Sequence, residues 1–566
     1  MRIHTGRTLR RIAFTWLTPP LLVLLLLGLC RMLAPGSSVN QSLPDFFERE
    51  FYPSGSLYPL TGYAWLLIAI GLFATAMIVF DQVDSGGGSG GGGLLVAAFA
   101  LLGVFVLAVP FITAVWNNDK DHGRFYSAAT VYHVPSVEDP PSSLTGLLEG
   151  AKPGTNGCDR AGAHDVRSCV KVDDSFKTLA WEPRTTSLAA ARTAMTNAAS
   201  PVQNVDVMDG SLSYLYGETA GQGRWAAVLD GTGAQSAYGV AEWDGSANAV
   251  RVCRFTGGHR FDRAFGGSGG NSLHNLLADR FSGLHFDEDD VWGYCQGDEP
   301  RIVVRVTSGK GYANRRVEVP AGVLILRGSP SGRPVMEHRA RIGPGELPGP
   351  VYPTSLVRVQ KDANSWTAGR ANKDEKAYGY QRSEYKTQKD NRGEYLMRGT
   401  DRRLYYLTPL TPHASKSESL IAYGVVRADE VASGRLNTYD IHVLADGDPA
   451  VVSLPNLDAK AIAYVSGPQS PYPNFLNSGG ALQEFMPLGG GKWRVYGVQN
   501  GQTVFYIDLA STGALQPKTV LPGAPQAAAP SKDLTCASPP KDLPDRLLAQ
   551  CLSDLASELR RRNPGG

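Results

Sequence analysis

Neither charge sign dominates this sequence: 55 Lys and Arg against 53 Asp and Glu leave a net charge of +2 over 566 residues. That balance excludes the global electrostatic footprint of a nucleic-acid binder. Cysteine is scarce, with seven residues and no C-x-x-C pair, so the usual zinc and dithiol spacings are missing. H-E-x-x-H is also missing, and with it the helical zinc-hydrolase site. The tract DQVDSGGGSGGGG at 81–93 lacks the Lys and Ser/Thr that would follow in a phosphate-binding loop. It reads as a flexible connector.

What is present is unevenly spread. A mean hydropathy of −0.17 hides three apolar runs in the first fifth: Phe14–Leu33, Leu60–Phe80 and Leu94–Trp116. Each reaches the ~20 residues that carry a helix across hydrocarbon. Arg2, Arg7, Arg10 and Arg11 precede the first run, and such asymmetry holds an N-terminus in the cytoplasm. The expectation is a three-helix membrane anchor: a basic tail at 1–13, helices at 14–33, 60–80 and 94–116, an external loop at 34–59 and a cytoplasmic Gly/Ser loop at 81–93. The chain is then a multi-pass cell-membrane protein with a large extracytoplasmic C-terminal region. Cys30, in LLGLC, reads as a buried thiol, because Leu29 stands where lipidation needs a small residue.

Beyond the third run an α+β region is expected, built of antiparallel sheets with packed helices. It divides into subdomains at 117–300 and 301–515, followed by a Pro/Ala linker at 516–540 and an amphipathic helix at 541–566. Alternating apolar and polar residues predict strands in RWAAVLDG, SAYGVAEWDG, NAVRVCRF, RIVVRVTS, AGVLILRG, RLYYLTPL, SLIAYGVVRA, NTYDIHVL and AKAIAYV. KWRVYGVQNGQTVFYIDL, with Asn500-Gly501 between two strand runs, predicts a hairpin on a type I′ turn. Helices are expected over Leu188–Ala199, over Asn271–Phe281 and from Thr354 to about Gly369, the last with Leu356, Val359 and Trp366 as its apolar face. The shared AYGV of two strand pairs reads either as duplication of one curled sheet or as the common texture of tyrosine-rich meanders.

Six cysteines follow the third run and fall into sequence neighbours: Cys158 with Cys169, Cys253 with Cys295, and Cys536 with Cys551. An even number in a region expected outside the cell predicts local disulfides.

The stretch richest in reactive side chains is His259–Asp290, with His259, Asp262, His274, His285, Asp287, Glu288, Asp289 and Asp290 around Gly266–Gly270. Histidines and carboxylates serve metal binding or acid–base work. The bland alternative is a solvated acidic loop beside a flexible glycine turn. Backbone N–H groups of Gly266–Gly270, ahead of a helix, offer an anion a further resting place. The segment 358–403 interleaves Tyr378, Tyr380, Tyr385 and Tyr395 with basic residues, a pattern suited to an anionic polymer. Asp374, Glu375, Glu384, Asp390 and Glu394 also run through it, and that mixture reads as a solvated excursion. No catalytic residue, metal ligand or cofactor is assigned. The expected function is a binding or assembly component of a bacterial cell envelope, with the lipid bilayer and protein partners around it and no specific nucleic acid. The alternatives are an extracytoplasmic hydrolase or metal-dependent enzyme at 259–290, and a subunit of an export or DNA-transfer complex.

Overall fold

The computed structural model describes scattered residues between 13 and 25, then 64–84, 100–104, 122–134, 170–172, most of 180–510, and 518–520. The chain divides into two compact units, Met1–Pro522 and Gly523–Gly566. The second, with the helix expected at 541–566, lies outside the described residues, as do Cys30, Cys158, Cys169, Cys536 and Cys551.

The membrane anchor is the first correction. Among the described residues no helix is long and apolar enough to cross a membrane. Helix α1, Ala64–Asp84, occupies the second apolar run and continues through residues 81–84 of the expected loop. Its last turn carries Asp81 and Asp84, so the helix is displaced from the apolar run that hydropathy marks out. Trp16 donates from Nε1 to Thr75 Oγ1 at 3.0 Å, and its ring lies against Gly71. The first and third runs lie almost wholly outside the described residues. The three-helix anchor and the multi-pass placement built on it are overturned by the lack of such a helix among the described residues.

The architecture is mostly β-sheet. A six-stranded sheet is built on Arg224–Gly233, which pairs with Val205–Val207, Ser213–Leu215, Gly239–Trp243 and Gly266–Gly267, with Arg251–Arg254 at the edge. Trp225, Ala227 and Leu229 enter one core and Val228 enters another, because successive residues of a strand face opposite sides. A five-stranded sheet follows: Val291–Gln296, Glu299–Lys310, Val317–Arg327 and Val335–Arg339 in order, with Leu284–His285 alongside. Its first hairpin runs directly across residue 300. In Glu299–Lys310, Ile302, Val304 and Val306 pack in one core while Val303 points into the other. Arg305 shares Val303's face.

A seven-stranded sheet joins distant parts of the chain. Tyr439–Val443 pairs antiparallel with Ala422–Arg427 on one side and parallel with Thr130–Val134 on the other. Leu404–Pro412 lies beyond, carrying Tyr380–Arg382 and Tyr395–Arg398. A four-stranded sheet, Ala481–Gly489, Lys492–Gln499, Gln502–Ala510 and Lys518–Val520, closes the unit. Its hairpin turns on Asn500 and Gly501, both at positive φ (52° and 72°), as a type I′ turn requires.

Among the described residues, these helices pack on the sheets: α2, Leu188–Ala199; α3, Leu273–Arg280; α4, Thr354–Ala363; and α5, Leu454–Ser466. Ser187 caps α2 by accepting from Ala190 N, and Ser272 caps α3 by accepting from Asn275 N. Helix α5 corrects the strand expected in AKAIAYV. Leu454, Leu457, Ala461 and Val465 are buried at helical spacing, and Pro455 sits in the first turn, where a missing N–H is harmless. The helix expected to reach about Gly369 ends at Ala363 and passes into the 3-10 turn Asn364–Trp366; Leu356 and Trp366 are buried as expected, but Val359 is exposed and Val357 takes its place. Cys253 and Cys295 form a disulfide that ties the edge strand Arg251–Arg254 to Val291–Gln296.

Candidate functional site

Where α2 and α4 approach each other, the cores part around a charged cavity of about 130 Å³. Its rim carries Arg192 and Asp209, paired at 3.1 Å and largely exposed. Arg358 stands deeper, donating to Asp289 Oδ2 at 2.7 Å and lying 3.9 Å from Glu394. Glu394 is buried, and Lys361 donates to its Oε1 at 2.8 Å. Its Oε2 has no hydrogen-bond donor among the described residues. Arg305, Tyr406, Arg184 and Tyr214 complete the buried wall.

Two of these arginines are held in the same way. Arg305 donates from Nε to the Asp290 carbonyl at 3.1 Å and from Nη1 to Thr354 Oγ1 at 2.9 Å. It also donates to the Asp289 carbonyl and to the Tyr406 hydroxyl. Asp290, fully buried, lies 3.7 Å from that guanidinium. It accepts from Thr354 N at 2.6 Å and from Ser355 Oγ at 2.5 Å. Pro353 offers no side-chain cap to α4, so the carboxylate of Asp290 supplies it from another element. Arg184 repeats the arrangement at α2: it donates to Glu484 Oε1 at 3.0 Å while Glu484 Oε2 accepts from Leu188 N at 2.6 Å. The rings of Trp225, Tyr214 and Tyr395 lie 5.1, 5.9 and 6.0 Å from the Arg184 guanidinium.

The reactive stretch at 259–290 is dispersed. His259 sits 3.3 Å from Glu299 on the surface, and His285 sits 3.3 Å from Glu318. Asp262 pairs with Arg263, and Asp287 precedes the 3-10 turn Glu288–Asp290. Among the described residues no three His, Cys, Asp or Glu gather to hold a metal. The expected solvated acidic loop is corrected at its end, because Asp289 and Asp290 turn inward to Arg358 and Arg305. The solvated excursion at 358–403 is corrected too. Tyr378, Tyr380, Tyr395 and Glu394 are buried, while Tyr385 donates to Asp458 Oδ2 at 2.8 Å. Glu384 is exposed and Asp374 pairs with Lys373; Glu375 and Asp390 lie outside the described residues.

Gly266–Gly270 also spells G-x-S-x-G, a match that reading it as a turn passes over. The glycine tract at 87–91 spells it as well, which shows how readily low-complexity sequence produces the motif. Ser268 lies outside the described residues. The nearby loop N–H groups already have an anion: Phe265 N and Gly266 N donate to the two oxygens of Asp230 at 3.0 and 2.7 Å. Burial, outweighing those bonds, pushes the Asp230 carboxyl up to about 6. His274 stacks on Phe286 and meets Phe265 edge-on. Burial holds its imidazole down at about 4.

These two groups oppose each other in pH. Between pH 6.5 and about 4, His274 binds fewer protons folded than unfolded. Its contribution is complete above pH 6.5 and lost on acidification. Asp230 binds more protons folded than unfolded between 3.8 and about 6, so it gains over nearly the same window. His274→Phe therefore removes only the acid-sensitive half. The stability of the variant relative to wild type should rise by about 2 kcal/mol between pH 7 and pH 5 in urea denaturation. A difference that does not change with pH would refute this assignment.

The sequence patterns that mark the cavity are weak, since Arg184, Arg305 and Arg358 are single residues on three elements. No protein-family model, curated protein or solved structure matches the chain.

Proposed function

We propose that this chain is a binding or assembly component and that its recognition site is the charged cavity between α2 and α4. The observation that carries this reading is the graded wall of paired charges. Arg192 and Asp209 at the rim are open to solvent, while Glu394 Oε2 below them is buried without a hydrogen-bond donor among the described residues. An occupant with an N–H group would bond the Glu394 Oε2 that Arg358 Nε approaches only to 3.9 Å. Its negative group would find Arg192 or Arg358. Such a site suits a small zwitterion or a charged side chain inserted by a protein partner, because a dry pocket strengthens each charge-assisted bond.

The test is native mass spectrometry of the full chain purified from its source cells, beside Arg358→Gln. The 60.7 kDa wild-type chain should retain added mass, as ligand or partner, that the variant has lost. Bare chains in both preparations would remove the proposal.

A further inference from the structure

A second cleft, of about 410 Å³, lies between the Arg341–Ile342 strand and the 427–440 segment. Arg341, Arg427 and Arg435 face it, with Glu430 and Asp440 as its acids. Both acids are engaged from outside the cleft. Arg403 donates to Glu430 Oε2 at 2.9 Å, and His133 Nε2 lies 2.7 Å from Asp440 Oδ1. Arg427 stays 3.9 Å from Glu430. Arg341 and Arg435 have no acidic partner among the described residues.

The backbone fixes these two arginines. Arg341 pairs with Ala432 and Ile342 with Val431 in a two-stranded ladder. Ala432 in turn bridges Arg435 across a turn in which Gly434 takes φ +78°. Ile342 and Val431 are buried beneath them, so the guanidinium stems rise from one rigid base. Arg427 ends the neighbouring strand Ala422–Arg427, its guanidinium 5.8 Å from the Tyr405 ring. Like charges brought together repel, and a guanidinium presents a planar fork that matches phosphate oxygens two at a time. The volume falls in the range of small-ligand sites, about 300–1,000 Å³.

We propose that this cleft binds a phosphate-bearing ligand, with Arg341 and Arg435 making charge-assisted hydrogen bonds and Arg427 adding a third positive charge. This site is separate from the charged cavity and carries a different ligand chemistry.

Calorimetric titration of the full chain with inorganic pyrophosphate and with long-chain polyphosphate tests it. Wild-type binding should weaken as salt is raised. Arg341→Gln with Arg435→Gln should weaken it at least about tenfold, since each bond to a charged group is worth roughly that factor or more. Both side chains are exposed, so the unfolding midpoint should not move. Equal affinity per phosphate for the two probes assigns a small ligand, and affinity rising with chain length assigns a polymer. No heat with either probe, or a double variant that binds like wild type, would overturn the proposal.

Discussion

Arg305→Met should cost about 5 kcal/mol of folding free energy, because the change strands a buried carboxylate and several backbone acceptors together. Removing one member of a buried ion pair alone costs roughly 3–5 kcal/mol. Each carbonyl left without a donor adds about 1–3 kcal/mol, and Arg305 serves the carbonyls of Asp289 and Asp290 as well as two hydroxyls. A domain holds only about 5–15 kcal/mol, so the variant should be close to unfolded at room temperature. Arg305→Lys keeps the charge but not the planar fork, and should lose about 2–3 kcal/mol. Asp290→Asn should lose about 3 kcal/mol, the low end for a broken buried pair, because Arg305 keeps its bonds to the Asp289 and Asp290 carbonyls. Burial pushes the Asp290 carboxyl up, against the pull of Arg305 and Ser355. The amide oxygen can still accept from Thr354 N. Urea denaturation of the full-length variants orders them. Asp290→Asn as damaging as Arg305→Met would show that charge pairing, rather than the spread of donated bonds, makes Arg305 central.

That centrality was not legible in the sequence, and the reason is distance along the chain. Local patterns were readable because their causes are local. Leu188–Ala199 is a run of helix formers behind a capping serine, and the Asn500-Gly501 turn needs two residues at positive φ, which these tolerate. Cys253 and Cys295 flank one helix and one glycine turn, so neighbours in sequence became partners in space. In AKAIAYV the short window hid the period: Leu454 and Leu457, which reveal the helical face, lie just ahead of it. The second apolar run failed differently, since its helix begins at Ala64 and ends on Asp84, offset from the run into the acidic end of the loop. The DEDD run read as solvated because its partners, Arg305 and Arg358, stand 15 and 69 residues from Asp290 and Asp289. Lys361 and Glu394, which neutralise each other inside the unit, were hidden in the same way by a separation of 33 residues.

A far longer separation gives the second large effect. Glu484→Ala should cost about 3–4 kcal/mol, by leaving the buried Arg184 charge without its carboxylate and the first turn of α2 without its acceptor. Arg184 and Glu484 are 300 residues apart, and both side chains are buried. Three aromatic rings remain around the guanidinium, which keeps the expected loss below that of Arg305→Met. Glu484 also sits at φ +58°, where the register of its strand shifts between Gln483 and Met486. A left-handed residue other than glycine carries strain of about 1–2 kcal/mol. Glu484→Gly relieves that strain while losing the same carboxylate, so it should lose roughly 1 kcal/mol less than Glu484→Ala. Denaturation midpoints of the two variants separate the contributions: the loss in Glu484→Ala reports the ion pair and cap, and the difference between the variants reports the backbone. Equal losses would mean that the bulge relaxes when the carboxylate goes. A strained residue kept at this position would then be explained by what its carboxylate holds, since Arg184 and Leu188 form one side of the charged cavity.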